Sequence, residues 1–260
     1  MRRALPLLVL AFLAGCGGGD DDQRPGPAIT VVPVELRGET PTQPLKPLAM
    51  VPRDRGEDVP VLILLHGQGG SPDDYVMPQL VAALERMGDR APVVLLPDGG
   101  EASYWHDRDD GDWARMVLDG LLPEVARRYG ADTRRVSIGG FSMGGFGALY
   151  LSTQRRFCSV SAHSPAVFER RPRPGGTFGE AFDDQADFAR VDPIAHARDL
   201  QPGIWVDVGD QDPFAPAVRA LAQRMRAPRF RVWHGGHDLR FWLRELPRWL
   251  RFHVDALERC

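Results

Sequence analysis

The five residues Gly140-Phe141-Ser142-Met143-Gly144 have the form Gly-x-Ser-x-Gly and lie between a strand-like run and a helix-like run. In that context the pattern describes a serine held on a tight strand-to-helix turn, its hydroxyl exposed at the tip. The flanking glycines let strand and helix approach each other beneath it. The following helix points its N-terminus at the hydroxyl and favours negative charge there. A hydroxyl becomes a useful nucleophile only when a base takes its proton and an acid orients that base.

Both partners are available downstream, in the order serine, acid, histidine. The segment "VDVGDQDPF" (206–214) ends a strand-like run and carries Asp207, Asp210 and Asp212. Asp212 is the expected acid because it lies beyond the strand end. Asp210 is the second choice, and Asp207 would alternate onto the sheet. The segment "HGGHDLRFW" (234–242) offers His234 and His237. His237 is the expected base, since two glycines can lift it into a loop while His234 still belongs to the strand. Acyl chemistry also needs two N–H groups aimed at a developing oxyanion. The expected donors are the backbone amides of Met143 and of Gln68, the latter in "LLHGQGGS" (64–71). His66 is expected to brace that loop and to take no part in the chemistry.

These segments, "LLHGQGGSPDDY", "GGFSMGGFGALYL", "VGDQDPF" and "GGHDLRFW", occur in this order. With them the chain resembles the α/β-hydrolase fold over roughly residues 45–255. Within that fold it is similar to the "putative esterase" group that contains S-formylglutathione hydrolases, feruloyl esterases and mycolyltransferases. The resemblance places the family's roles on Ser142, Asp212, His237 and the amides of Gln68 and Met143. It also marks Trp105, in "SYWHD" (103–107), as a substrate-binding candidate lining an acyl cleft, beside the alternative of a core tryptophan. The mycolyltransferases typically use Glu as the acid and lack the His-Gly start of the oxyanion loop, so the resemblance favours a hydrolase.

Those residues must be carried by alternating strands and helices. Strand-like segments fall at 28–36, 45–51, 59–67, 91–99, 134–141, 158–164, 203–210 and 229–235. The run Val61–Leu65 is apolar throughout, as suits a strand buried on both faces. Helical patterns fall between them, at 71–88, 113–130, 214–225 and 239–254, with Ser71 and Pro72 opening the first and Pro123 bending the second. Repeated βα units predict one doubly wound, mostly parallel α/β sheet with helices on both faces. The segment 165–200, rich in Arg, Pro and Asp and without a strand pattern, is expected to form a short cap over the site.

The first residues have another purpose. "MRRALPLLVLAFLAGC" has a basic start, an apolar stretch and small residues before Cys16, the build of an export signal. Its ending resembles the bacterial lipobox. The expected organisation is a signal peptide at 1–15, a lipidated Cys16 with a flexible tether to residue 27, and a catalytic domain at 28–260. The protein would then be exported and lipid-anchored to the bacterial cell membrane, facing outward. An exported chain could oxidise Cys158 and Cys260 to a disulfide, but a buried, inert Cys158 and a free terminal Cys260 are the expectation.

The 260 residues are 43% hydrophobic and 26% charged with a net charge of −3, which leaves no electrostatic footprint for nucleic acid. "DRDDGDW" (107–113) departs from an EF-hand, with a glycine where a ligand belongs and Leu118 at position twelve. "HGGHD" lacks a third ligand cluster, so neither metal nor cofactor is expected. The sequence therefore reads as a serine carboxylic-ester hydrolase working through an acyl-enzyme on a small ester or acylated envelope substrate. Acyl transfer to an envelope sugar or lipid, peptide hydrolysis and non-catalytic binding on the same fold are the alternatives.

Overall fold

A computed structural model describes residues 28–36, 44–53 and 56–260. The expected signal peptide, Cys16 and the tether lie outside the described residues. In chain order the strands are β1 (Ile29–Pro33), β2 (Leu48–Pro52), β3 (Val59–Leu65), β4 (Val93–Leu96), the hairpin pair β5 (Asp107–Arg108) and β6 (Gly111–Asp112), β7 (Ala131–Phe141), β8 (Val160–His163), β9 (Trp205–Gly209) and β10 (Arg229–Trp233). The helices are α1 (Pro78–Glu85), α2 (Trp113–Arg115), α3 (Leu122–Tyr129), α4 (Met143–Gln154), α5 (Gln185–Val191), α6 (Ala215–Arg224) and α7 (Leu239–Arg259).

Eight strands form one sheet in the order β1-β2-β4-β3-β7-β8-β9-β10. The pairs β1/β2 and β2/β4 are antiparallel, and every later pair is parallel. This is the expected mostly parallel α/β-hydrolase architecture. Alternation along β3 explains why it is apolar without a break. Val61, Ile63 and Leu65 face one core with Val117, Leu121, Leu149 and Leu221, while Leu62 and Leu64 face the other with Leu80, Leu84, Trp249 and Leu250. Helices α3, α4 and α6 thus cover one face, and α1 and α7 the other. Each such fully buried side chain contributes roughly 1.5–3 kcal/mol.

Two helical expectations change in detail, both at prolines. The helix expected over 71–88 divides into a 3-10 turn (Pro72–Tyr75) and α1, which starts at Pro78. A proline has no N–H to give and its ring collides with the preceding turn, so it begins a new helix. In the segment 113–130 a π-helical stretch (Met116–Leu121) separates α2 from α3. The wider turns there absorb the bend that Pro123 imposes.

The cysteine expectation is overturned. Cys158, just before β8, and Cys260, at the end of α7, are joined by a disulfide with their Cα atoms 5.6 Å apart. The reason lies in the path of α7. Its His253 bonds Ser159 and Ser161, so the helix runs back over β8 and delivers its last residue to the strand's beginning.

Candidate active site

All the parallel strands end at one rim. The register pairs Leu65 with Gly140, Phe141 with His163, His163 with Asp207 and Gly209 with Trp233. The loops after β3, β7, β8, β9 and β10 therefore open side by side, where ligands of open α/β sheets bind.

Ser142 is the hinge between β7 and α4. Its backbone has φ 57° and ψ −122°, a conformation outside the usual helix and strand regions. Such a non-glycine residue costs on the order of 1–3 kcal/mol and persists only where its surroundings enforce it. Here they do: the Ser142 amide donates to His163 O at 3.0 Å, and Ser142 O accepts from Phe146 and Ala166. The neighbouring glycines serve close approach. A Cβ on Gly144 would lie 1.8 Å from Leu65 O, and one on Gly140 would lie 2.6 Å from both Leu65 O and Gly144 O. Strand β3, strand β7 and helix α4 thus meet with no room for a methyl group.

The Ser142 hydroxyl donates to His237 Nε2 at 2.9 Å, and His237 Nδ1 donates to Asp212 Oδ2 at 2.8 Å. Asp212 is buried, and its other oxygen accepts from the Phe214 amide. Burial pushes the Asp212 carboxyl up. The hydrogen bonds from His237 and the Phe214 amide, helped by the nearby Ser164 hydroxyl, outweigh it, and the pKa settles below the usual value. The carboxylate is thereby kept ionised where an imidazolium would need it. The His237 ring is 22% exposed and packs between Phe214 and Trp242.

The rival residues pair with each other. His234 Nδ1 is hydrogen-bonded to Asp210 Oδ2 at 3.2 Å, with 79% and 47% of their side chains exposed. Asp207 is sealed in the sheet with His163, Trp205 and Trp233. A second Ser-His-Asp chain exists there: Ser161 Oγ meets His163 Nε2 at 2.9 Å, and His163 Nδ1 meets Asp207 Oδ1 at 2.9 Å. All three are buried, and the serine has no exposed surface. Hydrogen bonding alone therefore does not distinguish a reactive serine from a structural one; access does.

Gln68 and Met143 flank Ser142. Met143 is the first residue of α4, so its N–H is among the four that lack an acceptor within the helix. Gln68 follows Gly67, on which a Cβ would lie 3.4 Å from that of Ser142. His66 braces this turn: its Nδ1 donates to Gly67 O and its Nε2 accepts from the Gly99 amide, both buried. Burial lowers its pKa, which keeps the ring neutral and able to accept.

Trp105 does not line a cleft. It is 0% exposed, donates from Nε1 to His66 O, and packs against Gly99 and Gly147, where any Cβ would collide with its ring. The substrate-facing expectation is corrected to the alternative, a core tryptophan behind the His66–Gln68 turn. The segment 165–200 does form a cap, built of a 3-10 turn (Gly179–Ala181) and α5. Arg108 ties it down through Asp183, and His106 through Asp187.

Sequence reasoning missed the aromatic wall beside His237. Phe178 and Phe168 of the cap contact Phe214, which in turn contacts His237, with ring centroids 5.1–5.7 Å apart. Phe214 and Trp242 were visible as the ends of "VGDQDPF" and "GGHDLRFW", but their neighbours from the cap carried no local signal. Among the described residues no group of three or more His, Cys, Asp or Glu could hold a metal ion, and no helix is long and apolar enough to cross a membrane.

Comparison with known proteins agrees with this architecture. A solved ferulic acid esterase superposes with a TM-score of 0.70 at 20% identity, covering 88% of this chain and 98% of that one. An S-formylglutathione hydrolase from Agrobacterium tumefaciens gives 0.71 at 21% identity, covering 87% and 94%. These likenesses show a common fold. Esterase Rv1288 of Mycobacterium tuberculosis (strain ATCC 25618 / H37Rv) is 31% identical over 128 residues, which is 46% of this chain and 28% of that relative. The chain thus matches little more than a quarter of that relative's length. The model of the family described as "Putative esterase" matches residues 39–253, and the chain belongs to that family.

Proposed function

We propose that this protein is a serine esterase that cleaves carboxylic esters through an acyl-enzyme. The observation that carries the reading is the hydrogen-bonded series Ser142–His237–Asp212, with a half-buried Ser142 at the strand-to-helix turn and a His237 ring that is partly exposed. His237 Nε2 takes the proton as Ser142 Oγ attacks the ester carbonyl carbon. Asp212 holds the imidazole in the tautomer with Nε2 free and stabilises the imidazolium that forms. The amides of Gln68 and Met143 receive the oxyanion, aided by the positive end of α4. Collapse expels the alcohol, which takes its proton from His237. Water then enters by the same route in reverse order, releasing the acid and restoring the serine.

Ser142→Ala tests this directly. The variant should fold, lose on the order of 10³–10⁶ in kcat for p-nitrophenyl acetate, and fail to label with a fluorophosphonate. Wild-type turnover by the purified variant would refute the reading.

The site of action is proposed to be outside the cytoplasm, with the chain anchored by a lipid on Cys16. Two observations support it: the signal-like first 16 residues, and a disulfide of the kind that persists in oxidising compartments. Metabolic labelling with a fatty-acid analogue should mark the protein and be lost in Cys16→Ala.

A further inference from the structure

The turn that carries the Gln68 amide is tied to the segment 99–105 at several points. Gly99 N donates to His66 Nε2, Trp105 Nε1 to His66 O, and Gly69 N to Glu101 O. A further tie uses the Gln68 side chain. Tyr104 Oη donates to Gln68 Oε1 at 3.2 Å, and Gln68 Nε2 donates to Thr177 O of the cap at 3.2 Å. A carbonyl only accepts, so the amide group must turn its nitrogen to Thr177 and its oxygen to Tyr104.

Tyr104 is held for this task at some cost. It and Trp105 have φ of 50° and 62°, two consecutive bulky residues in the left-handed region. Its ring is wholly buried among Phe146, Phe168 and Phe182. Burial also holds its phenol well above the ordinary pKa, so it stays a donor throughout the working range.

We propose that Tyr104 is a positioning residue. Through its hydroxyl it orients the Gln68 side chain, which latches the oxyanion turn to Thr177, so the Gln68 amide is correctly aimed only while the cap is seated. The inference rests on the serine-esterase reading above. Its consequence is specific to the transition state, since the latch aims an amide at charge that the ground-state ester lacks.

The test compares Tyr104→Phe, Gln68→Met and the double variant. Phe keeps the ring in place, and Met keeps the length of a half-buried side chain, so at least one variant should fold. Tyr104→Phe, which removes one hydrogen bond, should lower kcat on p-nitrophenyl acetate by about fivefold to tenfold, and Gln68→Met, which removes two, by at least as much, each with KM within twofold. Affinity for a boronic acid that forms a tetrahedral adduct on the serine should fall in parallel. The double variant should lose little more than the worse single one, because both remove the same latch. A lowered Tm with unchanged kcat and boronate affinity would overturn the inference. So would fully additive losses. Fluorophosphonate labelling of wild type and Ser142→Ala separates the two levels: labelling that survives Ser142→Ala defeats the esterase reading, whereas Ser142-dependent labelling with wild-type turnover in Tyr104→Phe defeats only the latch.

Discussion

Gly144, in the first turn of α4, stands so close to the end of β3 that a Cβ on it would fall 1.8 Å from the carbonyl oxygen of Leu65. Leu65 immediately precedes His66 and Gly67, so this contact sets the spacing between the turn that carries Ser142 and the turn that carries Gln68. Gly144→Ala should force the two apart. The obstructing atom is backbone and cannot swing away, so a destabilisation of about 2–4 kcal/mol is expected, at or above the usual cost of overpacking. Thermal unfolding should show it, and any folded fraction should turn over at less than a tenth of the wild-type rate. Wild-type activity in Gly144→Ala would mean the turns are not so coupled.

Asp212 and Asp210 are two positions apart, yet only Asp212 reaches His237. Asp212→Asn should lower kcat by about 10³–10⁴, since the amide no longer fixes the tautomer that leaves Nε2 free. Asp210→Asn retains an acceptor for the Gly235 amide and should leave kcat within twofold. Steady-state kinetics on one ester compares the pair, and equal losses would contradict the assignment.

Reduction should weaken the fold. The Cys158–Cys260 bridge spans 102 positions, and closing a loop of that size is worth about 3–5 kcal/mol. Dithiothreitol, or Cys260→Ser, should therefore lower Tm by several degrees without changing KM. An unchanged Tm on verified reduction would show that the bridge contributes nothing to stability.

Acid should destabilise the protein through His253. Burial, with a smaller contribution from His163, pushes its pKa down to about 3, against 6.5 when exposed. Between those values the unfolded chain carries a proton on this ring that the folded chain does not. Stability from this group is therefore complete above pH 6.5 and declines by about 1.4 kcal/mol per unit as pH falls toward 3. Urea unfolding at pH 7 and pH 5 should show the decline, and His253→Gln should flatten it by about that amount. A slope unaltered by the substitution would exclude His253 as its source.

The sequence alone located all eight strands of the main sheet and placed the tight turn at Ser142, because buried strands are written as local apolar runs and a tight turn demands local glycine. It also chose Ser142, Asp212 and His237, the three that the structure joins by hydrogen bonds, and it named Asp212 and His237 ahead of Asp210 and His234 from their distance past the strand ends. Tertiary structure decided what depends on the return path of distant segments. It paired Asp210 with His234, sealed Asp207 beside a second serine and histidine, turned Trp105 inward, joined Cys158 to Cys260 through the course of α7, and brought Tyr104 and Thr177 to opposite ends of one glutamine. Periodicity and turn chemistry act over a few residues and are legible in order. The choice among equivalent side chains is made by packing across the sheet, where the competing positions differ in reach and not in type.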